Sequence, residues 1–223
     1  GVVWAADNGA KIINCSWGGG GGGSYGQNIV DYAAINKNVL VCGGAGNDGV
    51  EQPFYPSSFN NIYRVGSSTN TDAKSGFSNY GTDVDFCAPG SNIYSTINGT
   101  GYGSMSGTSM SSPVAAGAAA LVQSQFNYTN AFQIGEKLKQ TCDPMTGTLF
   151  TGGKLGKGRI DVYNALTVAA KSVVINPLVV TDKNDNAFMQ GETIEITGTF
   201  INYLDPVSAS CSAVLTVAAV SSG

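Results

Sequence analysis

Apolar and polar positions over the first 170 residues alternate between two textures. Val2 to Asn8 has the spacing of an amphipathic helix and closes on Asn8-Gly9, a helix C-cap signal. Lys11-Ile-Ile-Asn-Cys-Ser16 reads as a short buried strand, and Gln27 to Asn36 returns to helical spacing with Ile29, Ala33 and Ala34 on one face. Asn38-Val-Leu-Val-Cys42 is a second buried strand. Helix, strand, helix, strand in this order predicts a parallel sheet covered by helices. Further short strands are expected at Ile62–Gly66 and Val84–Cys87. Ser109 to Gln125 is the clearest helix, with Pro113 in its first turn and an interior, Val114 to Val122, apolar on every face. Such a helix is expected in the middle of a domain. Two more follow, at Asn130–Gln140 and Val162–Ala169.

After Lys171 the texture changes. Val173–Pro177, Glu192–Phe200 and Ala213–Val220 are β-rich or alternating, with turn residues between them. These read as the opening strands of an antiparallel, immunoglobulin-like β-sandwich, which usually needs about seven. The fold class is therefore α/β, a doubly wound parallel sheet over residues 1–170, followed by an incomplete all-β sandwich segment over residues 171–223. The boundary is placed near Ala170. Gly1 leads straight into a helix and Val214–Gly223 reads as an interrupted strand, so both ends are expected to be cuts through a longer polypeptide.

Composition narrows the partners. Apolar residues make up 42% of the 223 and charged residues 12%, so a sizeable core is available and few charges need solvating. The net charge of −4 is scattered, with no basic stripe to neutralise phosphates, which argues against nucleic acid. No apolar run approaches the roughly 20 residues of a membrane helix. Five cysteines, at 15, 42, 87, 142 and 211, show no C-x-x-C spacing, so zinc and redox sites are not indicated. Cys15 and Cys42 lie in strand-like runs and read as buried thiols, with a disulfide between them left open should their side chains face each other. The six glycines from Gly18 to Gly23 read as a flexible loop; no G-K-[ST] follows to make a phosphate cradle.

The candidate chemistry centres on Gly107-Thr-Ser-Met-Ser-Ser-Pro-Val-Ala-Ala-Gly117. A serine at the N-terminal end of a buried helix has backbone N–H groups and the positive end of the helix dipole beside it. By position alone Ser109 reads as a helix N-cap. Yet Gly107-Thr108-Ser109-Met110 with Ser112-Pro113 and Ala116-Gly117 closely resembles the nucleophile motif of the subtilases. Ile13-Asn-Cys-Ser-Trp-Gly18 resembles that family's substrate-binding strand, and Gly44-Ala-Gly-Asn-Asp-Gly49 its oxyanion loop. Phe77-Ser-Asn-Tyr-Gly81 and Ala88-Pro-Gly90 match two further landmarks in the right order.

The resemblance covers about Gly1 to Ala170 and implies a subtilisin-like fold whose N-terminal part lies outside this chain. It implies a serine endopeptidase with polypeptide substrates, secreted or at the cell surface. Ser109 is implied to be the nucleophile, and Asn47 to donate its amide to the oxyanion alongside the Ser109 N–H. Ser16, Trp17 and Gly18 are implied to form one wall of the substrate cleft, and Gly44, Ala45 and Gly46 the other wall of the primary specificity pocket. Asp48 and Phe54 fall near its base. The family often has glycine at position 54, so a shallower pocket is expected. Trp17 stands where leucine is usual and reads equally as core packing.

Departures are informative. Ser111 replaces a usual alanine and Val114 a histidine common in the motif. The chain has no histidine at all; the family's catalytic histidine and aspartate belong upstream of Gly1, so the chain alone is expected to be inert. No cofactor is required. A structural calcium or monovalent ion near the carbonyls of Ser57, Phe59 and Ile62 with Asp85 is a weaker reading, Asp85 serving equally as a turn or cap residue. A sedolisin-like serine-carboxyl peptidase would explain the missing histidine, but that family uses aspartate where Asn47 stands. A non-catalytic scaffold on the same frame is the other alternative, against which the presence of both Ser109 and Asn47 speaks.

Overall fold

The computed structural model describes residues 1–175, 179–181 and 193–205, so Cys211 and the strand expected at Ala213–Val220 lie outside the described residues. The chain divides into two compact units, Gly1–Ala170 and Lys171–Gly223. In the first, four parallel strands lie side by side in chain order: β1 (Ile12–Cys15), β2 (Leu40–Gly44), β3 (Tyr63–Ser68) and β4 (Phe86–Pro89). Helix α1 (Val2–Asp7) precedes β1, and α2 (Ser24–Asp31), extended by a wider turn over Tyr32–Asn36, crosses from β1 to β2. The chain then forms a hairpin of β5 (Ile93–Thr96) and β6 (Tyr102–Met105). Helices α3 (Thr108–Phe126), α4 (Ala131–Gln140), α5 (Thr148–Thr151) and α6 (Val162–Thr167) follow. Among the described residues no helix is long and apolar enough to cross a membrane.

Successive side chains of a strand point to opposite faces, and this alternation makes two cores. Leu40 and Cys42 enter a core with Val65, Phe86 and the α3 residues Ala115, Ala118 and Val122. Val39 and Val41 enter the other, with Ala6 of α1, Val30 of α2 and Cys15. The sheet is thus covered on both faces. Asn14 lies opposite Cys42 in the β1–β2 register, so Cys15 is one position out of step and faces away from Cys42. The disulfide left open by the sequence is excluded by this phase difference, and both thiols are free.

Helix α3 corrects two expectations. It starts at Thr108, which puts Pro113 beyond the first turn and inside the helix. It also buries one stripe only, Thr108, Ser111, Ser112, Ala115, Ala118, Ala119 and Val122, while Leu121 on the opposite face is 52% exposed. Its alanines and glycines count as apolar without carrying much side-chain area, so composition overstated how much of the helix must be covered. On the sheet side the small residues let the helix lie close: Cys42 Sγ is 3.8 Å from the Ser112 carbonyl oxygen.

The strand expected from Asn38 begins two residues later, because Asn38 takes a left-handed φ of 56° that no strand tolerates. The helix expected from Asn130 starts there, with Asn130 and Gln133 closing a reciprocal capping box. In the second unit the described strands pair antiparallel, β7 (Val173–Ile175) with β10 (Phe200–Asn202) and β8 (Val179–Thr181) with β9 (Glu195–Thr197).

Burial pushes the Cys15 thiol up to about 11 and those of Cys42 and Cys87 to about 12. At pH 8 a thiol with a pKa near 12 carries roughly one thiolate in ten thousand molecules. A colorimetric disulfide reagent is therefore expected to spare these three cysteines in the native chain and to modify them in denaturant. Native labelling at any of the three, mapped by mass spectrometry, would contradict their burial. Gly135 of α4 supplies a second measurement. A methyl group there would collide with the ring of Tyr63, which is 6% exposed and stacks on Phe86 at 5.9 Å. Gly135→Ala gains about 1 kcal/mol of helix propensity but overpacks the core by about 1–3 kcal/mol. A lower midpoint in urea is expected.

Candidate active site

Ser109 is the second residue of α3, preceded by Gly107 in extended backbone and by Thr108. It is not an N-cap: its side chain points away from the helix and donates to the Ser16 carbonyl oxygen at 3.1 Å. Ser16 Oγ returns the contact by donating to the Ser109 carbonyl at 2.9 Å. That carbonyl is available because its helical partner would be the N–H of residue 113, which is proline. Proline therefore opens the first turn where β1 attaches to it. Within this turn Thr108 N–H donates to Asn47 Oδ1 at 2.8 Å, while Met110 and Ser111 N–H turn back to the Gly107 carbonyl. Among the described residues the Ser109 N–H has no acceptor, as expected of an orphan donor at a helix start.

Asn47 leaves the C-terminal end of β2 on a glycine-flanked turn in which Gly46 has φ 104° and Gly49 φ 72°. Its carboxamide orientation is fixed chemically. Oδ1 accepts from both Thr108 N–H, at 2.8 Å, and Thr108 Oγ1, at 3.0 Å, and only oxygen can accept two donors. Nδ2 is thereby turned toward the open side. Gly107 locates the shared space: a methyl group built on it would lie 3.6 Å from Asn47 Nδ2, 3.7 Å from the Ser109 nitrogen and 3.8 Å from Asn47 Oδ1, which Thr108 already occupies. Two N–H donors thus flank one small open volume beside Gly107.

The other sequence-derived residues line the ends of the two strands. Ser16, Trp17 and Gly18 continue from β1, and Gly44, Ala45 and Gly46 run out of β2 and are buried. Gly44 is pressed against Thr108, whose Oγ1 accepts the Gly46 N–H at 3.2 Å. Trp17 is 62% exposed and stands over an apolar groove with Val2, Ile29, Tyr55 and Phe59, so it is not core packing in this chain. Phe54 occupies the gap between the two walls. A methyl group on Gly18 would collide with its Cε1, and one on Gly46 would sit 3.0 Å from its Cγ and Cδ2.

Several contributors escaped the sequence reading. Asn14 donates to Ser16 Oγ at 2.9 Å and accepts from Ser112 Oγ at 2.5 Å, tying β1 to the second turn of α3. Asn79, fully buried, accepts the Asp48 N–H at 2.8 Å and the Val50 N–H at 3.3 Å, and so shapes the turn after Asn47. Arg64 sits 1% exposed in β3; it pairs with Asp83 and donates to the carbonyls of Ala45 at 3.0 Å and Gln52 at 2.8 Å. A buried charge must be paired and hydrogen-bonded, and an arginine in the otherwise apolar run Ile62–Gly66 was the signal available for it. Asp85 accepts from Lys139 Nζ at 2.7 Å and from the Arg64 N–H at 2.9 Å.

The sequence model of the Subtilase family (peptidase S8) matches residues 1–187. The thermophilic serine proteinase of Bacillus sp. (strain AK1) is 45% identical over 166 residues, 74% of this chain and 40% of that protein. Thermitase of Thermoactinomyces vulgaris is 44% identical over 166 residues, 74% of this chain and 57% of that protein. Among solved structures, a protease from Pseudoalteromonas arctica matches with a TM-score of 0.68 at 29% identity, over 74% of this chain and 56% of that one. The chain spans about half the length of these relatives. A family match that runs through all four parallel strands and on past helix α3 carries the conclusion: this chain belongs to the subtilase family.

Proposed function

We propose that this chain supplies the nucleophile and the oxyanion-binding half of a subtilisin-like serine endopeptidase. The carrying observation is that Asn47 Nδ2 and the Ser109 nitrogen both lie within 4 Å of one point beside Gly107. In this reading Ser109 Oγ adds to the scissile carbonyl and loses its proton to a base. The developing oxyanion enters the space beside Gly107 and takes hydrogen bonds from the two donors. Collapse expels the amine, and water then hydrolyses the acyl ester. The substrate runs as an extended strand between the Ser16–Gly18 and Gly44–Gly46 walls, where missing side chains let its backbone approach. With no histidine among the 223 residues, the base comes from outside them. Without it, activity falls by about 10⁶, the loss seen in subtilisin itself.

Nothing in this chemistry asks for a metal. A calcium ion takes 6–8 oxygen ligands, whereas both carboxylate oxygens of Asp85 already receive N–H donors, one of them an ammonium. These two bonds speak against Asp85 as a ligand, with Lys139 serving as its counter-charge. Secretion or display at the cell surface follows from the family resemblance, and detection of the full-length protein in the medium or wall fraction tests it.

In the full-length protein a fluorophosphonate is expected to label Ser109 and to be excluded by Ser109→Ala. Labelling mapped to another residue overturns the assignment, and an unlabelled, well-folded protein favours the non-catalytic scaffold. Asn47→Ala is expected to lower kcat by about 10²–10³ with a smaller change in KM, the loss found for the corresponding donor in subtilisin. A change confined to KM would place Asn47 in substrate binding instead.

A further inference from the structure

The wall residues Gly18 and Gly46 lack side chains, which would leave a slot open between the segments that leave β1 and β2. Phe54 fills it. Its ring atoms Cε1 and Cδ1 abut Gly18, and Cγ and Cδ2 lie against Gly46. The ring therefore bridges the gap from wall to wall.

The plug is held from both sides. The residue after it, Tyr55, exchanges both backbone hydrogen bonds with Gly19, at 2.9 and 2.8 Å, and its ring packs on Phe59 at 4.6 Å between centroids. Phe54 N–H donates to Ser58 Oγ at 3.0 Å, and its carbonyl accepts from Ser57 Oγ at 2.7 Å and from Ser58 N–H at 3.0 Å. Arg64 holds the same loop through the Gln52 carbonyl while gripping the Gly44–Gly46 wall through that of Ala45. Moving the loop that carries the ring would require breaking several of these contacts together. Half-buried Phe54 is thus carried on an anchored loop rather than on a hinged lid.

We infer that Phe54 closes this slot to long side chains, so that the peptidase cleaves polypeptides after glycine, alanine or serine and discriminates against leucine, phenylalanine and lysine at that position. The inference rests on the catalytic reading above, since it places the residue before the scissile bond between the two glycine walls. A filled slot rejects a large side chain by overlap, and each methylene that fails to fit changes kcat/KM by about 10–200-fold.

The test is a set of peptide substrates that differ only in the residue before the scissile bond, assayed with the full-length protein. Alanine is expected to exceed phenylalanine by at least about 100-fold in kcat/KM. In Phe54→Gly that ratio is expected to fall at least tenfold. Phe54→Ala gives the same readout with less freedom in the loop, and circular dichroism reports whether either variant is folded. A native enzyme that prefers leucine or phenylalanine overturns the inference, as does a folded Phe54 variant with an unchanged ratio. Labelling at Ser109 with a preference for large residues removes the specificity alone. No hydrolysis and no fluorophosphonate labelling removes the catalytic reading and the specificity together.

Discussion

The first turn of helix α3 has a carbonyl it cannot satisfy internally, and the arrangement around Ser109 follows from that. Pro113 has no N–H to offer the Ser109 carbonyl, so Ser16 Oγ donates to it, and the Ser109 hydroxyl returns a bond to the Ser16 carbonyl. This reciprocal pair fastens the end of β1 to the start of α3. Asn14 extends the attachment by one more turn through Ser112. On the other side, Thr108 N–H and Oγ1 both bind Asn47 Oδ1. The same short segment thus fixes three things at once: the hydroxyl, the amide opposite it and the strand end along which a peptide would lie. Preorganised donors of this kind act without reorganising when charge develops.

Much of this was legible in the residue pattern, and for physical reasons. Buried parallel strands read as short apolar runs bounded by turn residues, which located β1 to β4 within about two residues, and the Asn8-Gly9 cap signal located the end of α1. What composition could not convey was geometry. The β5–β6 hairpin escaped because its exposed strands, rich in serine, threonine, glycine and tyrosine, carry little of the apolar signal that marks a strand. Pro113 read as a helix-starting proline, though its consequence lies four residues back, at the carbonyl it releases. Asn14 sat inside a recognised motif without a role until the structure brought Ser112 beside it.

The resemblance supplied the roles of Ser109 and Asn47, and the coordinates supply the reason these side chains suit them. Position 54 shows the reverse relation. Alignment placed an aromatic residue near a pocket, but only the simultaneous contact of its ring with Gly18 and Gly46 shows that the gap is spanned. The placement of Ser109 and Asn47 thus follows motifs that the resemblance names, whereas the bridging contact of Phe54 emerges only from the path of one loop.

Arg64 anchors that loop, and the choice of residue has a consequence of its own. A guanidinium presents several N–H donors in one rigid plane, so a single side chain can hold two carbonyls at once. Its two carbonyl contacts, to Ala45 and Gln52, join the end of β2 to the loop that bears Phe54. The spacing between strand end and loop is therefore set by one side chain bound to both, so a displacement of either carbonyl is passed on to the other.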